Sequence, residues 1–147
     1  MRAPLIILFM LLSAVASAQT GLAVSDLFSD TYVGNQGVRL MKIEGGELKK
    51  MKLRKFYSFT VTAPDAELAV LIESKVKRDG ARALDKEVQY KDKRLRYGFY
   101  QLRQAADYSN RYLVYLDQTD STGGKILVIY LEGKASLNDV KKLIEKN

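Results

Sequence analysis

The sequence predicts a single α+β domain, in which helices pack mainly on one face of a largely antiparallel sheet of about six strands. Three observations support this class. Short runs of alternating apolar and polar residues recur along the chain, one long stretch has helical periodicity, and an amphipathic stretch ends the chain. The 147 residues are 47% hydrophobic and 28% charged, with a net charge of +7, a composition typical of one globular domain. The predicted order of elements is α-β-β-α-β-β-β-β-α.

The first three elements precede the first long helix. Ser25 is placed to cap a short helix over residues 26–33, because its hydroxyl can accept one of the free N–H groups of the first turn. Residues 38–44 have the length and mixed alternation of a strand. Residues 56–62 are rich in aromatic and β-branched side chains, which favour a second strand.

A longer helix is predicted between Pro64 and Gly80. Proline suits a first helical turn, because its fixed φ is already helical and its missing N–H is not needed there. Apolar residues at helical spacing give this helix one buried side: Leu68, Leu71, Ile72 and Val76. Gly80 is a natural terminator, since glycine readily adopts the left-handed conformation that follows a helix.

Beyond Gly80 the apolar period becomes two. Residues 84–90 and 95–102 flank a polar turn, and this arrangement predicts a β-hairpin. The face assigned to the core carries Val88, Tyr90, Leu95, Tyr97 and Phe99, in a register that pairs Tyr90 with Leu95. Arg96 and Tyr100 then point to the other face, where no helix need cover them.

Two more strands and a helix complete the predicted domain. The strands are residues 112–117 and 125–131, and the second is apolar on both faces, which predicts a central position in the sheet. Ser136 then caps a terminal helix, with Asp139 three residues further on. The apolar side of this helix carries Leu137, Val140, Leu143 and Ile144.

Residues 1–18 predict a cleavable signal peptide. A basic residue precedes an uncharged apolar run at residues 5–12, and small side chains follow it, so cleavage is expected after Ala18 and before Gln19. The apolar run is far shorter than the ~20 residues that a membrane-spanning helix needs. The predicted mature protein is one α+β domain, residues 19–147, which is periplasmic or secreted and contains no membrane span.

Several segments of the chain are similar to a known family. They are the predicted signal peptide and residues 83–102, 111–117 and 128–144. These segments resemble a family of small exported proteins of unknown function from Bacteroidales, and the similarity covers essentially the whole mature chain. The resemblance implies a periplasmic or secreted single domain. It brings no catalytic motif, because the family has no established activity.

The chain contains no cysteine and no histidine, which excludes several classes of function. Without cysteine there is no disulfide framework, thiolate nucleophile or zinc finger. Without histidine, the commonest general base and the commonest metal ligand are both missing. We therefore predict no catalytic residues, no metal site and no cofactor, in a protein that is not an enzyme.

Two features of the mature chain indicate binding. Five basic residues fall within residues 49–55 without an acid, and a second basic excess runs over residues 75–103. Seven of the nine tyrosines lie within residues 90–130, and tyrosine suits both protein interfaces and sugar stacking. The predicted partner is an envelope protein, an anionic glycan or a lipid head group. Nucleic acid, the usual partner of such charge, is excluded by export.

The predicted contact surface is the outward side of the hairpin. It contains Arg96 and Tyr100, with Arg103 and Tyr108 beside them, because arginine and tyrosine often dominate binding energy. A basic face that only serves solubility is the alternative explanation. Two other functions stay open: a small-ligand carrier with a pocket between sheet and helices, and an enzyme that uses only carboxylates, lysines or tyrosines. A closed apolar cavity would favour the carrier, and a buried carboxylate with a strongly shifted pKa would favour the enzyme.

Overall fold

The computed structural model describes residues 21–145, and the order of its elements matches the predicted order. The elements are the 3-10 helix η1 (Ala23–Phe28), strand β1 (Val38–Glu44), the 3-10 helix η2 (Gly46–Met51), strand β2 (Leu53–Thr62), helix α1 (Ala66–Gly80), strands β3 (Asp85–Lys91), β4 (Arg94–Leu102), β5 (Asn110–Asp117) and β6 (Lys125–Gly133), and helix α2 (Leu137–Glu145). The predicted signal peptide, residues 1–18, and its cleavage site between Ala18 and Gln19 lie outside the described residues.

The 3-10 helix η1 takes the place of the helix predicted over residues 26–33. It begins at Ala23 because the buried carboxylate of Asp79, in α1, accepts the backbone N–H groups of Ala23 and Val24 at 2.7 and 2.9 Å. These bonds satisfy N–H groups that a helix start otherwise leaves free. The predicted cap is wrong, since Ser25 lies inside η1 and its side chain caps nothing.

Both longer helices begin at side-chain caps. In α1, the carboxylate of Asp65 accepts the N–H of Leu68 at 2.8 Å. At the start of α2, Ser136 and Asp139 each accept the other's backbone N–H, at 3.2 and 3.0 Å, which is the capping box that the sequence predicts. Within residues 21–145, neither helix is long and apolar enough to cross a membrane.

The six strands form one antiparallel sheet in the order β1-β2-β6-β5-β4-β3. Strand β6 therefore has two strands on one side and three on the other. Its residues Ile126, Val128 and Leu131 are completely buried. The central position predicted from the doubly apolar sequence of the last strand is confirmed.

Both faces of the sheet carry an apolar cluster. On one face, η1 and α1 pack on a large cluster that includes Phe59, Leu113 and Val128. On the opposite face, η2 and α2 pack on a smaller cluster that includes Tyr112 and Leu131. The longest helix lies on the first face, and α2 covers part of the second because β5 and β6 present apolar side chains on both sides.

Strands β3 and β4 form the predicted hairpin, but its register changes beyond the turn. Tyr90 pairs with Leu95 as predicted, and a β-bulge then makes Gln89 the partner of Tyr97. The bulge places an extra residue in β4, so the side chains that follow it point to the opposite face from the one predicted. The predicted faces are therefore wrong for Tyr97 and Phe99, which join the smaller cluster, and for Tyr100, which joins the larger one. Val88 and Tyr90, also predicted on the core face, are 36% and 53% exposed.

Candidate functional site

Tyr100 is buried, so its predicted place on a contact surface is wrong. Its side chain is only 2% exposed and lies between Gly80, at the end of α1, and Gly98, in β4. A β-carbon at either glycine would overlap the tyrosine ring. Gly80 is therefore required for space rather than for the predicted left-handed turn. Burial raises the pKa of the Tyr100 hydroxyl to about 12.

Arg96 is held in an ion-pair network at the turn end of β4. Its Nη1 lies 3.2 Å from the carboxylate of Asp117 and donates to the carbonyl of Thr119 at 2.7 Å. Arg94 binds the same carboxylate at 2.8 Å, and the Asp117 side chain is completely buried. Two arginines and the hydroxyl of Thr119 therefore stabilise one buried charge. This arrangement gives Arg96 a structural role.

Arg103 and Tyr108 follow β4 and lie at the opposite end of that strand from Arg96. Tyr108 is 81% exposed in a loop, with a left-handed backbone conformation. Arg103 is also exposed, and its carbonyl accepts the Nε–H of Arg111 at 2.8 Å. The four predicted site residues, Arg96, Tyr100, Arg103 and Tyr108, do not share one surface. Of these four, Arg103 lines a cavity.

Arg103 lines one of two adjoining open cavities on the α1 face of the sheet. The cavities have volumes of about 470 and 310 Å³, and both are lined by Gly21, Leu22 and Arg111. We call the combined space the arginine groove. Its cationic lining residues are Lys42, Lys55, Arg82, Arg103 and Arg111, and its anionic lining residues are Asp79 and Glu132.

The register of the sheet builds the floor of the arginine groove. Arg111 of β5 lies between Leu102 of β4 and Glu132 of β6, and Glu132 in turn pairs with Lys55 of β2. Because directly opposite residues in antiparallel strands point to the same face, these side chains form a row across one end of the sheet. The row places three charged residues side by side where η1 begins.

Glu132 is buried and fully engaged inside the protein. It is 4% exposed, its Oε2 accepts the Nε–H of Arg54 at 2.5 Å, and its Oε1 accepts the hydroxyl of Tyr130 at 2.5 Å. Arg54 also binds Asp107 in the loop before β5. Burial, and then the hydrogen bond to Glu132, raise the pKa of Tyr130. Oε2 of Glu132 also lies 3.9 Å from Nζ of Lys55. Glu132 is therefore shared between Arg54 and Lys55 and is not available to Arg82 or Arg103.

Asp79, the other carboxylate of the groove, is also satisfied by the protein. Its two oxygens accept the N–H groups of Ala23 and Val24, which fastens η1 to α1. Burial raises the pKa of Asp79, although these two hydrogen bonds and the nearby charge of Arg111 act in the opposite direction. Arg82 and Arg103 form no salt bridge with any carboxylate in residues 21–145. The groove therefore offers guanidinium groups without an anionic partner.

An aromatic cluster lies beside these cations. The ring centroids of Phe28, Tyr57 and Tyr130 are 5.7 to 6.4 Å apart, and all three rings line the smaller cavity. Lys42 Nζ is 4.7 Å from the ring centroid of Tyr57, whose hydroxyl donates to Glu44. Burial, and then this hydrogen bond, raise the pKa of Tyr57 to about 12. Both tyrosine hydroxyls are thus neutral at pH 7.

The arrangement can bind an anion next to a ring. Guanidinium groups match carboxylate, phosphate and sulfate oxygens. Phe28 and Tyr130 are buried, so the half-buried ring of Tyr57 provides the apolar contact area. No group of three or more acidic side chains in residues 21–145 is placed to hold a metal ion. Arg82 and Arg103 fall within the basic excess noted in the sequence. Arg111 could not be found in that way, because its place depends on the strand order.

The groove residues lie within a segment that matches a family model. This model covers residues 11–144, which is nearly the whole chain. The chain belongs to the family of unknown function DUF6108. No curated protein and no solved structure matches the chain. Membership in DUF6108 therefore brings no activity to test, and the function has to be argued from the groove itself.

Proposed function

We propose that the protein is exported and that its mature domain binds an anionic component of the cell envelope in the arginine groove, without catalysing a reaction. The observation that carries this proposal is the pair Arg82 and Arg103, which line the groove and have no carboxylate partner among the described residues. Guanidinium groups bind carboxylate and phosphate oxygens in a planar fork, which makes arginine a specific anion ligand. The signal-peptide pattern of residues 1–18 and the resemblance to small exported proteins of Bacteroidales support the proposal of export.

An acidic carbohydrate fits the groove best. Arg111 lines both cavities, and the half-buried ring of Tyr57 lines the smaller one, so a ligand bound by the arginines can place a sugar ring against Tyr57. Because the groove is open and lined by charged side chains, it differs from the closed apolar cavity that a carrier of apolar ligands requires.

The groove residues favour binding over catalysis. Both carboxylates are occupied by the protein, Asp79 by two backbone N–H groups and Glu132 by Arg54 and Tyr130. The hydroxyl of Tyr57 has a raised pKa and is a poor base at pH 7. A general base has to accept a proton from the substrate, and the carboxylate oxygens of the groove already accept hydrogen bonds from the protein.

The binding test compares glucuronate with glucose, which has the same ring and no charge. We expect glucuronate to bind and glucose not to bind. The double variant Arg82→Gln, Arg103→Gln should weaken glucuronate binding at least tenfold, because each charged hydrogen bond contributes about 1.5–3 kcal/mol. Isothermal titration calorimetry on the processed protein measures both effects.

The matched control replaces two exposed cations outside the groove, Arg39→Gln and Lys91→Gln, and should bind glucuronate like the wild type. Equal losses in the control and the groove variant would contradict the groove as the site. Tighter binding of glycerol 3-phosphate than of glucuronate would contradict the carbohydrate assignment, because that probe has the chemistry of a lipid head group.

Export makes a separate prediction. Ala18→Glu should block processing, since a charged side chain does not fit the small pocket that accepts the residue before the cleavage site. Mass spectrometry of the protein purified from cells should find Gln19 at the N-terminus of the wild type and an intact N-terminus in the variant. An unprocessed wild-type protein would contradict export through a cleaved signal.

A further inference from the structure

A second cationic surface lies on the other face of the sheet, away from the arginine groove. It surrounds an open cavity of about 190 Å³ between η2 and α2. We define the lysine patch as Lys49, Lys50, Met51, Lys52 and Lys142, all of which are exposed. Four of these five residues are positively charged, and they come from the end of η2, the residue after it, and α2.

The patch is fixed to the domain by its backbone and by one buried side chain. Leu48 of η2 is buried in the smaller apolar cluster, so the lysines that follow it are held at the surface. The carbonyl of Lys52 accepts the N–H of Ala135 at 2.9 Å, and the N–H of Lys52 donates to the carbonyl of Lys49 at 3.0 Å. Lys52 adopts a left-handed conformation, with φ of 58°, which ends η2 sharply. These hydrogen bonds fix the backbone of the turn, and its lysine side chains are exposed.

Few acidic groups compensate the patch. Asp139 lies 3.7 Å from Lys52, but its carboxylate also accepts the N–H of Ser136 in the capping box. That hydrogen bond is the main reason why the pKa of Asp139 is lowered. Lys49, Lys50 and Lys142 form no salt bridge among the described residues. A surface with three unpaired ammonium groups has a positive potential that attracts polyanions.

Met51 is an apolar residue within this charged surface. It is 36% exposed, and lysines precede and follow it in the sequence. Methionine is flexible and apolar, so it can enter the boundary between head groups and acyl chains while the lysines remain among the head groups. The combination differs from the arginine groove, where planar guanidinium groups line an open cavity suited to one small anion.

We infer that the lysine patch docks the mature protein on an anionic lipid surface, with Met51 inserted at the interface. Lysines near such a surface contribute additively through the negative potential of the head groups, and they need no precise geometry. The patch and the arginine groove lie on opposite faces of the sheet. A docked molecule would therefore present its groove on the face of the sheet opposite the lysine patch.

The test is sedimentation of the processed protein with vesicles of mixed phosphatidylglycerol and phosphatidylcholine. We expect binding to these vesicles that weakens as salt is added, and no binding to pure phosphatidylcholine. The triple variant Lys49→Gln, Lys50→Gln, Lys142→Gln should lose about 100-fold in affinity, because each lysine contributes about a factor of five near an anionic surface. Met51→Asp should also weaken binding, since it removes the apolar contact and adds a repelled charge.

The matched control replaces three exposed lysines of the β3–β4 hairpin, Lys86→Gln, Lys91→Gln and Lys93→Gln, and should sediment like the wild type. Equal loss in this control, equal binding to uncharged vesicles, or tighter binding to a DNA duplex than to the anionic vesicles would overturn the proposal. The groove variant Arg82→Gln, Arg103→Gln should keep full vesicle binding. Failure of the patch is thereby distinguished from failure of the groove.

Discussion

Replacing Tyr100 with alanine is expected to lower the free energy of unfolding by about 3 to 5 kcal/mol. The ring is buried and fills the space beside Gly80 and Gly98, where neither glycine has a side chain that could take its place. Its removal therefore creates a cavity that the backbone cannot easily close. The loss includes both the apolar transfer energy of the ring and the cost of the remaining cavity. Urea unfolding followed by circular dichroism measures the change as a lower midpoint.

Tyr108→Ala is the matched control for this prediction. Tyr108 is 81% exposed, so its replacement should change the free energy of unfolding by less than about 0.5 kcal/mol. If the two variants unfolded at the same urea concentration, Tyr100 would not be buried. The hairpin register described above would then be incorrect.

Val128→Asp should destabilise the protein by about 4 kcal/mol or more. Val128 is completely buried in the central strand β6, and none of the apolar neighbours in its cluster can neutralise a carboxylate. Such a loss is comparable to the whole stability of many small domains, which is about 5–15 kcal/mol. Thermal and urea unfolding of the purified variant measure it.

Lys125→Ala, at the exposed start of the same strand, is the control for Val128→Asp. Its expected effect is less than about 0.5 kcal/mol, because the side chain is exposed and forms no ion pair among the described residues. Comparable urea midpoints for the two variants would show that β6 is not buried at Val128.

Local patterns were sufficient to predict most of the fold. Helix α1 lies close to its predicted bounds, although Pro64 precedes the cap Asp65 and Leu71, assigned to the buried side, is 38% exposed. The capping box at Ser136 starts α2. The last strand is apolar on both faces, which predicted its central position in the sheet. Apolar side chains on both faces are favourable only where both faces of the strand are covered by other parts of the protein. These features depend on neighbours within a few residues of one another in the chain.

The hairpin shows where local patterns were not sufficient. The alternation around Leu95 is compatible with two registers, and tertiary packing selects the one that contains a bulge. One extra residue reverses the direction of every side chain that follows, and it moves Tyr100 from the predicted surface into the core. The predicted contact surface failed for this reason.

The arginine groove could not be predicted, because its residues are distant in the sequence. Arg82 follows α1, Arg103 follows β4, and Arg111 lies near the start of β5. The strand order places β5 between β6 and β4. The carboxylate of Asp79 binds the first N–H groups of η1 and so holds η1 against α1. Neither the order of the strands nor a contact between Asp79 and η1 can be inferred from hydrophobic periodicity.

The most direct test of the proposed function is an NMR titration of the isotopically labelled, processed protein with glucuronate. The groove proposal predicts saturable shifts of the backbone amides of Leu22, Arg103 and Arg111, which line the groove, while the amide of Lys50 in the lysine patch stays unchanged. Titration with glucose should leave all of these amides unmoved. Shifts centred on the lysine patch, or no saturable shifts at all, would contradict the assignment of the groove as the binding site.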